Sequence, residues 1–438
     1  MFLSFGELIE DPELGAEYQL IEQIGYGAYA TIFKAIHKPS GTEVAIKKQI
    51  NIFNDLVDCK KVLRELKLLR LLKHQNIVKL LDVRINESDP KFNSISLVLE
   101  LGECDMKEII RSTQNLAPSS IKKAMYDILL ALKYMHSAGV IHRDLKPANI
   151  LIFSDESVKV CDFGLARCVE DLYGMISDSN NELLLDSPIE GSPNKLSPSF
   201  VPVTITDIIS KGSRNFPKSE EDEKDDVDLT KKTANMLRPT KKLTSHVVTR
   251  WYRAPEVILM EGNYNAGIDM WAVGCIFGEL LALLKGNNSS YYNRAPLFPG
   301  TSCYPLSPSN RKSEDDQLAV ILKFLGNLSN TDYEFISDSD KLKALKEWSQ
   351  EKGCDFERMY PAADKDTLDL LKQLLAFNPS KRPTVDECIE HPYFEGIRDK
   401  EKEIMAERTL ELNFEDEELD EDKLRGLFIE ELKHYKKE

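Results

Sequence analysis

A chain of 438 residues is too long for one compact hydrophobic core, so two or more domains or lobes are expected. Hydrophobic residues make up 42% and charged residues 30%, the balance of an ordinary soluble protein, while a formal net charge of −16 argues against nonspecific nucleic-acid binding, which needs a basic face. No apolar run approaches the roughly 18 residues of a membrane span. The opening MFLSFGELIEDPEL lacks a basic region and turns acidic, a poor signal peptide, and neither end carries a lipidation motif. The cysteines (Cys59, Cys104, Cys161, Cys168, Cys275, Cys303, Cys354 and Cys388) are scattered without a CxxC pair, and read as reduced thiols of a cytoplasmic or nuclear protein.

Along the chain, residues 18 to 50 read as strands: YQLIEQI, ATIFKAIHK and EVAIKKQ are rich in β-branched residues and separated by Gly or Pro turns. CKKVLRELKLLRLLK then switches to helical spacing, with Val62, Leu66, Leu69 and Leu72 on one face. SISLVLEL returns to strand. SSIKKAMYDILLALKYMHSAG carries the helical stripe Ile121, Ala124, Met125, Ile128, Leu132 and Met135. Beyond it the chain reads as mainly helical, with short strands near ANILIF and SVKVCDF. A strand-rich front and a helical remainder predict an α+β protein of two unlike lobes. Two segments break the pattern. Residues 169–243 hold Ser, Asn, Pro and the run SEEDEKDDVD with little periodicity, and are expected to be a disordered insertion. Residues 285–316 form a shorter polar, Pro-rich excursion around APLFPG.

The first chemical signal is IGYGAYATIF, in which Gly25 and Gly27 let backbone close on phosphates where a Cβ would intervene. A dinucleotide fold also uses GxGxxG but needs a helix directly afterwards, and ATIFKAIH reads as strand. The third glycine position is Ala30, which disfavours positive φ there. VAIK ends in Lys47, and LRELK places Glu65 on the following helix. Each alone is an ordinary surface charge; paired, they would fix an ammonium for phosphates. HRDLKPANI supplies Asp144, Lys146 and Asn149, and Asp162-Phe163-Gly164 follows a short strand. One carboxylate can accept a hydroxyl proton, while a second carboxylate and an amide offer Mg²⁺ hard oxygens. Lys146 can neutralise charge on a transferred phosphoryl. These motifs in this order make a phosphotransfer site.

Across residues 18–395 the chain resembles the eukaryotic protein kinases. The resemblance implies an N-lobe over 18–102 after an extension over 1–17, a C-lobe over 103–395, and ATP between them. It assigns Asp144 as catalytic base, Asn149 and Asp162 as Mg²⁺ ligands, Lys47 to the α- and β-phosphates, and Glu65 as the partner of Lys47. Ile24, Gly25, Gly27, Ile32, Ala45 and Leu99 would line the nucleotide site, with the backbones of Glu100 and Gly102 meeting the base. Asp269, and Glu256 opposite Arg382, resemble the family's structural polar anchors.

VVTRWYRAPE resembles the MAP kinases most, implying substrates with Pro after Ser or Thr, and a P+1 site at Thr249, Arg250 and Arg253. The tail over 396–438 resembles the MAP kinase C-terminal extension, which packs back toward the N-lobe. In that family the lip carries Thr-x-Tyr; here Thr244-Ser245-His246 lacks the tyrosine, and with FPGTSCYPLSPS is most similar to the MAP kinase-2 type of apicomplexan parasites. The resemblance places Arg64, Arg143 and Arg167 around a phosphate on Thr244, so switching through that single site is expected. The plainer alternative makes Thr244 and Ser245 ordinary polar lip residues of a constitutively competent kinase. Ser187, Ser192 and Ser197, each followed by proline, are candidates for self-phosphorylation. Asp399, Glu401 and Glu403 stand where MAP kinases dock basic motifs, though interleaved lysines spoil the pattern. Cys161, beside Asp162, is either a small buried hydrophobe or a target for ATP-site electrophiles. A monomer is expected, with protein substrates, an upstream kinase or docking partners, and neither nucleic acid nor membrane. The alternative of a kinase-shaped scaffold without turnover would normally show loss of Lys47, Asp144 or Asp162.

Overall fold

A computed structural model of the chain describes residues 11, 13–27, 30–169, 204–205, 250–261, 265–287, 294–303, 315–348 and 352–435. Nearly all of the expected lip insertion, with Ser187, Ser192, Ser197, Thr244, His246 and Thr249, lies outside them.

The N-terminal lobe is built on strands β1 (Tyr18–Tyr26), β2 (Ala30–His37), β3 (Thr42–Ile50), β4 (Leu80–Arg84) and β5 (Ser94–Glu100). They form one five-stranded antiparallel sheet in the order β1-β2-β3-β5-β4. Both faces of its centre are covered, so β3 buries consecutive residues rather than alternate ones: Val44, Ala45 and Ile46. Val44, Ile46 and Val98 pack under Leu14 and Tyr18, which ties residues 13–18 to the outer face. Ala45, Leu97 and Leu99 face the main core.

Helix α1 (Leu56–Leu71) closes the inner face; its N-cap Asp55 accepts hydrogen bonds from the backbone N–H groups of Val57 and Asp58. The stripe Val62, Leu66, Leu69 and Leu72 is buried as its spacing predicts. Cys59 and Leu63 are buried as well, on the face of α1 that the C-terminal helix α6 (Glu421–Leu432) covers with a second layer, and Leu68 is buried on the side that carries Glu65. Phe428 is fully buried and meets Phe53 and Phe92 edge-on, while the Arg425 guanidinium lies 3.9 Å from the Phe53 ring centroid. Glu431 pairs with Lys67 at 3.0 Å and with Arg70. Each such buried side chain is worth about 1.5–3 kcal/mol, so this tail is part of the folded lobe.

The C-terminal lobe is centred on α3 (Pro118–Ser137), which follows the short α2 (Met106–Arg111), and on α4 (Gly267–Leu281). Every residue of α4 from Ile268 to Leu281 is buried, the mark of a central core helix. Strands β6 (Cys104–Asp105), β8 (Ile150–Ile152) and β9 (Val158–Val160) make a small sheet beneath the cleft, and β7 (Val140–Ile141) pairs with β10 (Arg167–Cys168). The helix α5 (Lys365–Leu374) packs on α4.

The stretch around APLFPG differs from the polar excursion expected. Phe298 is fully buried and stacks on Trp271 with centroids 5.3 Å apart. Leu297 fills the space above Gly278, where an added Cβ would lie 2.4 Å from its Cδ1. Two apolar residues between prolines anchor a loop whose composition reads as surface.

Candidate active site

Lys47 on β3 and Glu65 on α1 meet at 2.6 Å, so Glu65 points inward and not to solvent. Gln49, two residues along the same strand, donates to the other Glu65 oxygen at 3.3 Å. Lys47 also reaches Asp162 Oδ1 at 3.3 Å. Burial alone would lower the Lys47 pKa, but the Asp162 and Glu65 carboxylates more than offset it and hold the ammonium well above its ordinary range. Burial pushes the Glu65 carboxyl up against the pull of Lys47. Lys47 holds the Asp162 carboxyl below its ordinary value.

The loop after α3 presents Asp144, Lys146 and Asn149 together. Lys146 Nζ lies 2.6 Å from Asp144 Oδ2. Asn149 Nδ2 donates to the Asp144 carbonyl at 2.8 Å and to its carboxylate at 3.2 Å. The loop is hung from buried Asp269 on α4: its Oδ2 accepts the His142 N–H at 2.9 Å, and its Oδ1 accepts the Arg143 N–H at 2.9 Å. His136 Nε2 sits 3.0 Å from Oδ2. Burial works against the charged form, yet bonding to His136 leaves the Asp269 carboxyl below its ordinary value. Arg143 (φ 70°) and Asp162 (φ 66°) both occupy the left-handed region that L side chains rarely adopt. His142 bridges the two segments: its Nε2 lies 3.0 Å from the Cys161 carbonyl and its ring packs on buried Phe163. The carboxylates of Glu65, Asp144 and Asp162 and the ammonium groups of Lys47 and Lys146 thereby converge at the lobe junction.

The walls of this cleft come from the sheet. Ala45 and Leu99 are register partners and buried, Gly25 lies opposite Ile32, and Ile24 is half-exposed. At Gly102 an added Cβ would lie 3.2 Å from the Ile152 carbonyl, so β8 packs tightly against the backbone there. The Glu100 carboxylate is held by Lys159 at 2.7 and 2.8 Å, leaving backbone to face the cleft. Gly27 donates to the Ala30 carbonyl at 2.8 Å. Magnesium fits the donors present. Asp162 keeps 42% of its side chain exposed, and Asn149, its amide nitrogen bound to Asp144, retains a carbonyl oxygen; both are hard ligands.

Arg64 and Arg167 do not stand open. Arg64 is buried, donates from Nε and Nη2 to both oxygens of Glu415, the latter at 2.7 Å, and gives Nη1 to the Gly164 carbonyl. Arg167 Nη1 lies 3.0 Å from the same carboxylate. Arg143 donates to the Leu165 carbonyl at 3.3 Å. Arg250 donates to the Thr301 carbonyl at 2.8 Å, and Arg253 approaches Cys303 Sγ at 3.9 Å. Of the acidic patch, Glu403 is drawn inward by Arg398 at 2.6 Å and Lys133 at 3.4 Å, while Asp399 and Glu401 stay near the surface. Burial and then the Asp162 charge push the Cys161 thiol far up, away from a reactive thiolate. Glu256 and Arg382 form a buried pair at 2.6 Å in the C-lobe, with Arg382 stacked 5.0 Å from the Trp271 ring. Sequence reading missed Gln49, Lys159 and Glu415, none of which lies in a recognisable motif.

A family model described as Protein kinase domain matches residues 18–178 and 232–394. The chain is 32% identical to mitogen-activated protein kinase 14 of Arabidopsis thaliana, covering 97% of this chain and 92% of that protein. It is 34% identical to mitogen-activated protein kinase 4 of Oryza sativa subsp. japonica, over 97% and 90%. A third relative, the mitogen-activated protein kinase homolog NTF3 of Nicotiana tabacum, is 34% identical over 88% and 80%. The chain belongs to the protein kinase family, as a serine/threonine kinase of the MAP kinase kind.

Proposed function

We propose that this kinase is proline-directed, transferring the γ-phosphate of ATP to Ser or Thr followed by Pro. The observation that carries the chemistry is one cleft holding Lys47–Glu65 and Asp144–Lys146, with Asp162 between them. Asp144 orients the substrate hydroxyl and accepts its proton at a carboxylate oxygen. Lys146 sits 2.6 Å from that carboxylate, where it balances negative charge that develops during transfer. Lys47, locked by Glu65, holds the α- and β-phosphates, and Ala45, Leu99 and the backbone of Glu100 and Gly102 receive the base. Asn149 and Asp162 would hold Mg²⁺, which when bound screens phosphate charge.

Proline direction is supported by VVTRWYRAPE, with Thr249, Arg250 and Arg253 forming the P+1 site. Thr244 is the phosphorylation site of the lip, without a partner tyrosine, as in the apicomplexan MAP kinase-2 type. Partners are Ser/Thr-Pro proteins and an upstream kinase, and the chain acts as a cytoplasmic or nuclear monomer. Initial rates on paired peptides differing only in Ser-Pro against Ser-Ala test this reading. A strong preference for Ser-Pro is expected; equal rates would remove proline direction.

A further inference from the structure

Two of the three arginines suited to a lip phosphate, Arg64 and Arg167, already hold an anion that belongs to the chain. Glu415 ends a short 3₁₀ turn, Asn413–Glu415, pinned between buried Leu412 and Phe414. Its carboxylate retains only 9% exposure, and Arg64 grips both of its oxygens through a two-pronged guanidinium contact. Arg167 adds a contact at 3.0 Å. Lys60 fixes the backbone at and just after this residue, bonding the carbonyls of Glu415 at 3.2 Å and Glu417 at 2.7 Å. Arg143 lines the same cleft of about 510 Å³.

Position gives this carboxylate leverage over the chemistry. Arg64 is the neighbour of Glu65 on α1, and its third contact is the Gly164 carbonyl, directly after Asp162 and Phe163. One carboxylate therefore couples the rotation of α1 to the start of the activation segment. In this arrangement Lys47 touches both Glu65 and Asp162, and Phe163 is fully buried. A phosphothreonine is expected to make the same bridge with about −1.5 to −2 charges in place of one.

The geometry points to Glu415 as a positioning residue: a built-in anion that assembles Lys47, Glu65 and Asp162 before any lip phosphate arrives. The inference rests on the phosphotransfer reading of that cleft. It has two consequences. The unphosphorylated kinase turns over substrate, and phosphate on Thr244 gains only the difference between two anions.

The test uses the full chain, phosphatase-treated to its unmodified intact mass, with a Ser-Pro peptide and Mg-ATP. Glu415→Gln keeps the shape and removes the charge; Glu415→Asp keeps the charge. Expected are a fall in kcat of about tenfold or more for Glu415→Gln, little change in peptide KM, and substantial recovery in Glu415→Asp. Phosphorylation of Thr244 by an activating kinase, verified by mass, is expected to multiply the rate more in Glu415→Gln than in wild type. Wild-type turnover in Glu415→Gln overturns the proposal. So does a Glu415→Asp variant as slow as Glu415→Gln at the same melting temperature, which would make the role structural. An unphosphorylated wild type no faster than Asp162→Ala, beside an active phosphorylated form, also overturns it. If both forms were as slow as Asp162→Ala, the underlying kinase reading would fail instead.

Discussion

Replacing Asp269 by asparagine tests how the catalytic loop is held. The native carboxylate serves donors on both oxygens: His142 N–H and His136 on Oδ2, Arg143 N–H on Oδ1, all between 2.9 and 3.0 Å. An amide has a single acceptor oxygen. If that oxygen keeps the histidines, the amide nitrogen faces the Arg143 N–H, donor against donor, in a site that excludes water. One buried orphan donor costs about 1–3 kcal/mol, and weakening two charge-assisted bonds to neutral ones costs about 1 kcal/mol each, so a loss of about 3–5 kcal/mol is expected. Arg143 sits at φ 70°, a conformation that this bond helps to hold, and Asp144 follows it directly. A displacement of about 1 Å at such a group lowers turnover about 10²-fold. The ATP walls at Ala45 and Leu99 are remote from Asp269, so KM for ATP should barely move. Thermal melting and steady-state rates at saturating peptide check both parts. An unchanged melting temperature with turnover within about twofold of wild type would refute the reasoning.

Three further outcomes follow from buried charges. Arg382→Met strands the Glu256 carboxylate in the C-lobe core and should cost about 3–5 kcal/mol, whereas the double variant with Glu256→Leu should cost less than the single, because no charge is left unpaired; melting temperatures in which the two losses simply add would contradict this. The Cys161 thiol stays protonated near neutral pH, so iodoacetamide should label it far more slowly than a free-cysteine peptide, and peptide mapping that found equal rates would dismiss the burial argument. Burial pushes the Glu279 carboxyl up to about 7, against the hydrogen bond from Tyr252 and the pull of Arg111. Folding therefore retains a proton that the unfolded chain releases near its ordinary value, and stability should decline by roughly 3 kcal/mol as pH rises from about 4.5 to 7. Glu279→Gln should flatten that decline; an unaltered pH profile of melting would show that another group controls it.

The active cleft was legible because its parts are short strings with local meaning. Lys47 follows a β-branched run, Asp144 to Asn149 lie within six positions, and Asp162 closes a strand. Glu65 could be placed by helix phase, although only the tertiary contact decides that it faces inward. Glu415 could not be found this way. It is one acid among Glu411, Glu415, Glu417 and Glu418, and its partner Arg64 is 351 positions away. Glu403 hid for the same reason, its partner Lys133 lying 270 positions earlier. The APLFPG segment was misread because proline and glycine outweighed two apolar residues whose burial depends on Gly278 and Trp271 of α4. Strand β4, a five-residue run, escapes any periodicity test and exists only through pairing with β5.

The central claim is that the groups gathered at the lobe junction carry out phosphotransfer. Its most direct test is the initial rate of γ-phosphate transfer from Mg-ATP to a Ser-Pro peptide by the full chain, beside Asp144→Asn and Asp162→Ala. A wild-type rate exceeding both variants by about 10² or more is predicted. Equal rates in all three, with intact melting curves, would contradict it and leave a kinase-shaped scaffold.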